Sequence, residues 1–195
     1  MSKAKKKGFR LPKLSKQQKI GLGIGAGVLA AVMIATAGRN KVAPGFFELS
    51  YLDSEFQTRG IRNNNPGNIL YNSANPWEGR ISYEMNTDPG RKFEQFKTYV
   101  YGVRAMIVLL KNYMKQIRTL SDIVYRWNPG NPNYVNYVAN RLGVAPDAAL
   151  KPNKATLKAL VQAIADFENG TKSGEYPAVS DDMFEAAWSI VWTCI

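Results

Sequence analysis

Residues 59–69 read RGIRNNNPGNI. Three consecutive asparagines followed by Pro66-Gly67-Asn68 exclude a regular helix and a central strand. Asparagine amides bond to nearby backbone, and Gly67 is free to take positive φ. The stretch is therefore expected as a tight loop, dense in amide donors and acceptors. After it the chain stays irregular over residues 70–92, with Asn75-Pro76 and Asp88-Pro89-Gly90 as turn signals. Short strands are expected around Arg80–Glu84 and Lys92–Phe96.

From Gly102 the period changes. Val103, Met106, Ile107, Leu110 and Met114 recur at spacings of three and four, which predicts an amphipathic helix over 101–116. Ser121 is expected to cap a short helix that Pro129 ends. A further helix is expected over Asn133 to Leu142, stopped by Gly143. Asn153 or Thr156 opens a longer one, with Leu157, Leu160, Val161 and Ile164 inward and Asn169-Gly170 at its end. Ser180-Asp181-Asp182 caps a last helix that runs to about Trp192. Its apolar residues, among them Phe184 and Trp188, suit a core better than a docking face. The body over 58–195 is thus a mainly α, α+β soluble domain, preceded by a linker over 39–57.

Toward the N-terminus the composition shifts. Ten of the 26 Lys and Arg lie in residues 1–41, ahead of the first acid, Glu48. The remainder is nearly neutral, with 16 basic residues against 15 acidic ones. The net charge of +11 therefore belongs to a tail, whereas a nucleic-acid-binding globular domain carries its basic residues on its body. Between Lys19 and Arg39 runs IGLGIGAGVLAAVMIATAG, residues 20–38, without a charge. As a helix it spans about 28 Å, one hydrocarbon core. The flanking charge predicts a single-pass membrane protein, with arm 1–19 in the cytoplasm or virion interior and the domain outside. Two rivals remain: a signal cleaved after Ala35-Thr36-Ala37, and a buried or interfacial helix. Gly21, Gly23, Gly25 and Gly27 either admit a second helix or reflect ordinary membrane-helix composition. The arm sets topology in the favoured reading. Membrane lipid is a partner, and nucleic-acid contact by the arm is not favoured.

The chain contains no histidine and one cysteine, Cys194. His-ligated zinc, Ser-His and Cys-His catalysis, and a disulfide framework are thereby excluded. No metal and no cofactor are expected. Among the carboxylates, Glu168 stands out. It follows the apolar face of LVQAIADFENG and precedes the Asn-Gly break. The negative end of a helix dipole and the neighbouring Phe167 both raise its pKa, as a glycosidic general acid requires. The competing reading is an exposed helix-end glutamate. Glu55, Glu78 and Glu94 are expected as solvated side chains. Asn63, Asn64, Asn65 and Asn68 suit sugar hydroxyls and N-acetyl groups, or else hold the loop together. Tyr71, Trp77, Tyr125 and Trp127 are candidates to stack on pyranose faces, with a core role preferred for Trp127.

The motif RGIRNNNPGNI, then Trp77-Glu78-Gly79, Gly102-Val103-Arg104-Ala105, Arg126-Trp127-Asn128-Pro129, Leu142-Gly143-Val144 and Glu168-Asn169-Gly170 follow one another in order. This resembles a family of phage and prophage virion structural proteins with a lysozyme-like domain, over about residues 58–170. The resemblance implies a virion-associated, peptidoglycan-processing domain. A looser similarity is to lysozyme-like transglycosylases and glucosaminidases, where a helix-ending glutamate precedes an Asn-x-x-Gly loop. Here the loop comes first, so the similarity implies a circularly permuted site. It makes Glu168 the acid, followed by Asn-Gly rather than the serine usual in the soluble enzymes, and places Asn63 to Asn68 along the sugar groove.

The expected function is cleavage of peptidoglycan glycan strands, of the lytic transglycosylase or muramidase type, by a membrane-anchored phage virion protein. The alternative is a non-catalytic virion membrane protein with a lysozyme-like fold. Peptidoglycan is the expected partner, with other virion membrane proteins as further ones.

Overall fold

The computed structural model describes residues 44–52, 57–84, 92–171 and 178–191. The expected basic arm, the apolar run 20–38, Glu55 and Cys194 lie outside them. No helix among the described residues is long and apolar enough to cross a membrane.

After a short 3-10 turn at Pro44–Phe47, one helical turn, α1 (Arg59–Arg62), opens the asparagine-rich loop. A hairpin of β1 (Arg80–Glu84) and β2 (Phe93–Phe96) follows, and then come five helices: α2 (Tyr99–Tyr113), α3 (Leu120–Trp127), α4 (Pro132–Leu142), α5 (Lys154–Asn169) and α6 (Asp181–Ile190). The domain is mainly helical with one small antiparallel sheet.

Helix α2 is the central element and packs against α5, α6, β2, α3 and the 3-10 turn. Val103, Met106, Ile107, Leu110 and Met114 are all buried, as their spacing predicts. The helix begins earlier than that spacing alone suggests. Tyr99 and Val100 are also buried, and the Tyr99 hydroxyl donates to the Ala178 carbonyl at 2.7 Å. Burial of its ring pushes the Tyr99 phenol well above its ordinary range, so it remains a donor.

Caps fix the other boundaries. Asn131 accepts from the backbone N–H of Asn133 and Tyr134 at the start of α4, where Pro132 takes the first position. Asn153 caps α5, and Ser180 caps α6. Gly170, in the left-handed region at φ 63°, closes α5. For α3 the structure corrects the expected cap. Thr119 Oγ1, not Ser121, accepts from the Asp122 N–H. The backbone bridge from Thr119 to Ala149 anchors the chain at that point and sets the register. In α6, Phe184, Ala186 and Ala187 are buried, and Trp188 and Ile190 pack on the same core.

The hairpin pairs Tyr83 with Glu94 and Ser82 with Gln95, with an irregularity between Arg80 and Ser82. The chain leaving the asparagine loop continues this sheet. Glu94 N–H donates to the Ile69 carbonyl at 3.0 Å, and Tyr71 N–H to the Lys92 carbonyl at 2.8 Å. The loop thereby lies between the hairpin and the helices, pinned on both sides.

Candidate active site

The loop after α1 folds because three of its asparagines turn inward. Asn63, Asn64 and Asn65 are 2%, 0% and 0% exposed. Asn64 Nδ2 donates to Ser50 Oγ at 2.8 Å and to the Phe96 carbonyl at 2.9 Å, while its Oδ1 accepts from Tyr51 N–H. Asn65 Nδ2 donates to the carbonyls of Ile69 and Glu94, both at 3.0 Å, and its Oδ1 accepts from Ile69 N–H. Asn63 Oδ1 accepts from Gln95 Nε2 at 3.0 Å. These amides replace a backbone ladder that the loop cannot make. Of the two roles open to them, holding the loop together is the one the structure displays, and none of the three lines either of the two clefts beside Asn68.

Positive φ falls elsewhere than expected. It occurs at Asn64 (52°) and Asn68 (48°), not at Gly67. Asparagine tolerates the left-handed region better than most residues, because its short side chain bonds locally. Gly67 is required for a different reason. A Cβ there would lie 2.6 Å from Trp127 Cζ2, so only glycine admits the indole. Gly102 on α2 is constrained likewise, since a Cβ would collide with the Asn64 carbonyl oxygen.

The end of α5 is stitched to this loop. Asn169 Nδ2 donates to the Pro66 carbonyl and, back along its own helix, to the Ala165 carbonyl, both at 2.8 Å. Thr58 Oγ1 donates to Asn169 Oδ1 at 2.5 Å. One residue earlier, Glu168 projects from the helix end. Asn68 Nδ2 donates to its Oε2 at 3.0 Å, and the Tyr134 hydroxyl donates to its Oε1, also at 3.0 Å. Asn68 Oδ1 is turned the right way by Arg59 Nε, at 3.5 Å. The Tyr134 ring is fully buried and stacks on Phe167 with centroids 3.8 Å apart. Each carboxyl oxygen therefore has one neutral donor; Tyr134 is fixed by packing and Asn68 by its bond from Arg59.

Burial pushes the Glu168 carboxyl above the ordinary glutamate range. The bonds from Asn68 and Tyr134, and the charge of Arg59, oppose that rise without cancelling it. The Tyr134 phenol is driven far above its own ordinary value, first by burial and then by the Glu168 charge, so it remains a donor. The expected competitor, an exposed helix-end glutamate, does not describe this side chain.

Glu168 opens onto a cleft of about 400 Å³, walled by Arg59, Asn68, Leu70, Phe93 and Trp127. A second cleft of about 580 Å³ adjoins it and shares Asn68, Leu70, Trp127 and Pro129. Both volumes lie in the range of small-ligand sites, roughly 300–1,000 Å³. Among the described residues, Glu168 is the sole carboxylate lining either cleft. No cluster of His, Cys, Asp or Glu among them is arranged to hold a metal.

The other candidates are spread out. Tyr71 lines the second cleft, whereas Trp77 packs against the core and lines neither. Tyr125 is 57% exposed on α3, away from both. Trp127, expected in the core, packs on it and forms the wall common to both clefts. Glu94 corrects an expectation. It is fully buried, with Arg80 Nε donating to its Oε2 at 2.7 Å and Arg80 Nη2 bonding its Oε1. Glu78 is paired with Arg104 at 3.1 Å. Sequence reasoning missed Tyr134 and Arg59. Neither carries a local signal, because each acts on a partner from another element.

No family model matches the chain. Over 129 residues, 62% of this chain and 77% of the relative, the sequence is 37% identical to Protein P5 of Pseudoalteromonas phage PM2.

Proposed function

Because the chain belongs to the family of Protein P5 of Pseudoalteromonas phage PM2, we propose that it is a phage virion protein that cuts the glycan strands of peptidoglycan. In this reading residues 20–38 anchor it in a membrane, with the basic arm inside and a lysozyme-like domain outside. The observation that carries the proposal is Glu168. It is a partly buried carboxyl on a cleft wall, raised in pKa, with each oxygen held by a neutral donor.

The chemistry follows from that environment. Protonated Glu168 delivers its proton to the glycosidic oxygen as the C–O bond breaks. Asn68 and Tyr134 hold the carboxyl in place and stabilise the carboxylate left behind. The cleft presents no second carboxylate, among the described residues, to serve as a nucleophile or to activate water. The substrate's own 6-hydroxyl closes on the anomeric carbon instead, and its proton returns to Glu168. Atoms balance without water, as in a lytic transglycosylase.

The test is clearing of peptidoglycan suspensions by the full chain in mild detergent, beside Glu168→Gln. Clearing that the substitution abolishes, with an unchanged circular dichroism spectrum, is the expected result. Absence of clearing by the unsubstituted protein, with cell-wall binding retained, overturns the enzyme and leaves a virion membrane protein that grips the wall.

A further inference from the structure

The second cleft has a chemistry that proton transfer at Glu168 does not use. Leu70, 51% exposed, and Trp127 offer apolar surface where the two clefts meet. Asn72, Ser73 and Asn75 line the same cleft with amides and a hydroxyl. Arg126, in the last turn of α3, is exposed at its edge. Its guanidinium lies 5.6 Å from the centre of the Tyr113 ring, a placement that orients the planar fork. The ion pairs of the described residues give Arg126 no carboxylate partner. Arg59, which lies 3.8 Å over the Phe93 ring in the first cleft, instead bonds Asn68 Oδ1 and acts electrostatically on Glu168.

Apolar platforms beside amides fit the faces and hydroxyls of sugar rings. The Arg126 guanidinium bonds the Tyr113 side chain and no carboxylate, so it keeps further donors that fit one. A polyanion such as nucleic acid needs a row of cations, whereas the lining of this cleft holds a single cation, Arg126. We propose that the cleft beside the acid is a subsite for a carboxylate-bearing sugar unit, and that Arg126 selects such a unit over a neutral one. The inference rests on reading the groove as a glycan site, and it adds which glycan the groove prefers. The carboxylate has two sources in peptidoglycan: the lactyl ether of the sugar, or the stem peptide that amidates it.

Titration calorimetry on the full chain carrying Glu168→Gln, which prevents turnover, separates these possibilities. Three tetrasaccharide probes are compared: neutral N-acetylglucosamine units, a peptidoglycan fragment stripped of peptide, and the same fragment with its peptides. At least one acidic probe is expected to bind roughly five- to tenfold more tightly than the neutral one. The tighter of the two acidic probes identifies the source of the carboxylate. Adding Arg126→Gln is expected to erase the difference and leave neutral binding unchanged, whereas Arg126→Lys restores part of it. Matching thermal melts exclude a folding defect. Equal affinities for all probes, a preference that survives Arg126→Gln, or no binding of any probe overturns the proposal. An Arg126-dependent preference in a protein that does not clear cell walls supports the subsite and overturns only the cleavage reading.

Discussion

Asp166 and Glu168 stand two residues apart at the end of α5, yet their surroundings are opposite in kind. Asp166 is fully buried. It receives Arg141 Nη2 at 2.9 Å, Thr171 Oγ1 at 2.8 Å and the Ala178 N–H at 2.8 Å. A cation and two further donors commit it to tying the chain beyond α5 back onto the helix. Glu168 has two neutral donors, faces a cleft, and keeps its guanidinium neighbour at the distance of a weak electrostatic influence. The first arrangement ties Arg141, Thr171 and the Ala178 backbone to one carboxyl as part of the fold. The second holds a carboxyl of raised pKa at the wall of a cleft. The two carboxyls differ in the type of partner as well as in burial.

Substitution tests this division most sharply at the two acids. Glu168→Gln is expected to lower clearing by about 10²- to 10⁴-fold, the contribution of a general acid. Its melting temperature at neutral pH is expected to match or exceed that of the parent. The sign follows from linkage. A carboxyl whose pKa is raised by folding favours the native state most when protonated. That contribution fades as pH rises from the ordinary glutamate value through the raised one. Asp166→Ala is expected to do the reverse. It strands Arg141 and the Ala178 N–H, with a loss of about 3–5 kcal/mol in chemical denaturation. Equal destabilisation by both substitutions would break the comparison.

Smaller effects sharpen it. Asn68→Ala removes one charge-directed hydrogen bond, for which about 1.5–3 kcal/mol is typical, so clearing is expected to fall about ten- to a hundredfold. Because the Asn68 bond lowers the Glu168 pKa, its loss moves the alkaline limb of the pH–rate profile to higher pH. Tyr134→Phe keeps the stack on Phe167 and loses only the hydroxyl, so a few-fold loss and a shift in the same direction are expected. In the unsubstituted protein, clearing is expected to persist above the ordinary carboxylate range and to decline as Glu168 ionises.

Much of the helical frame is legible in the sequence, because apolar spacing and caps are local. Asn153 and Ser180 mark helix starts that the structure reproduces, whereas α4 opens at Asn131-Pro132, just ahead of the expected Asn133. Thr119 and Ser121 are chemically alike and two residues apart, and a long-range bridge decides between them. The asparagine loop is legible as a loop but not in its facing. Four asparagines of one type divide into three that hold the loop and one that reaches the acid, through left-handed turns at Asn64 and Asn68. Glu94 escapes a sequence reading because its partner, Arg80, lies across the hairpin. Glu168 is visible from the helix end and the Asn-Gly break. Its donors, 100 and 34 residues away, are assembled only by the fold.

The most direct test is mass spectrometry of the strand ends released from peptidoglycan by the full chain and by Glu168→Gln. Cleavage by one acid with closure by the substrate's own hydroxyl predicts ends one water lighter than hydrolysis products, absent from the Glu168→Gln digest. Hydrated ends would contradict the single-carboxylate mechanism, and no new ends, or the same ends from Glu168→Gln, would contradict Glu168-dependent cleavage itself.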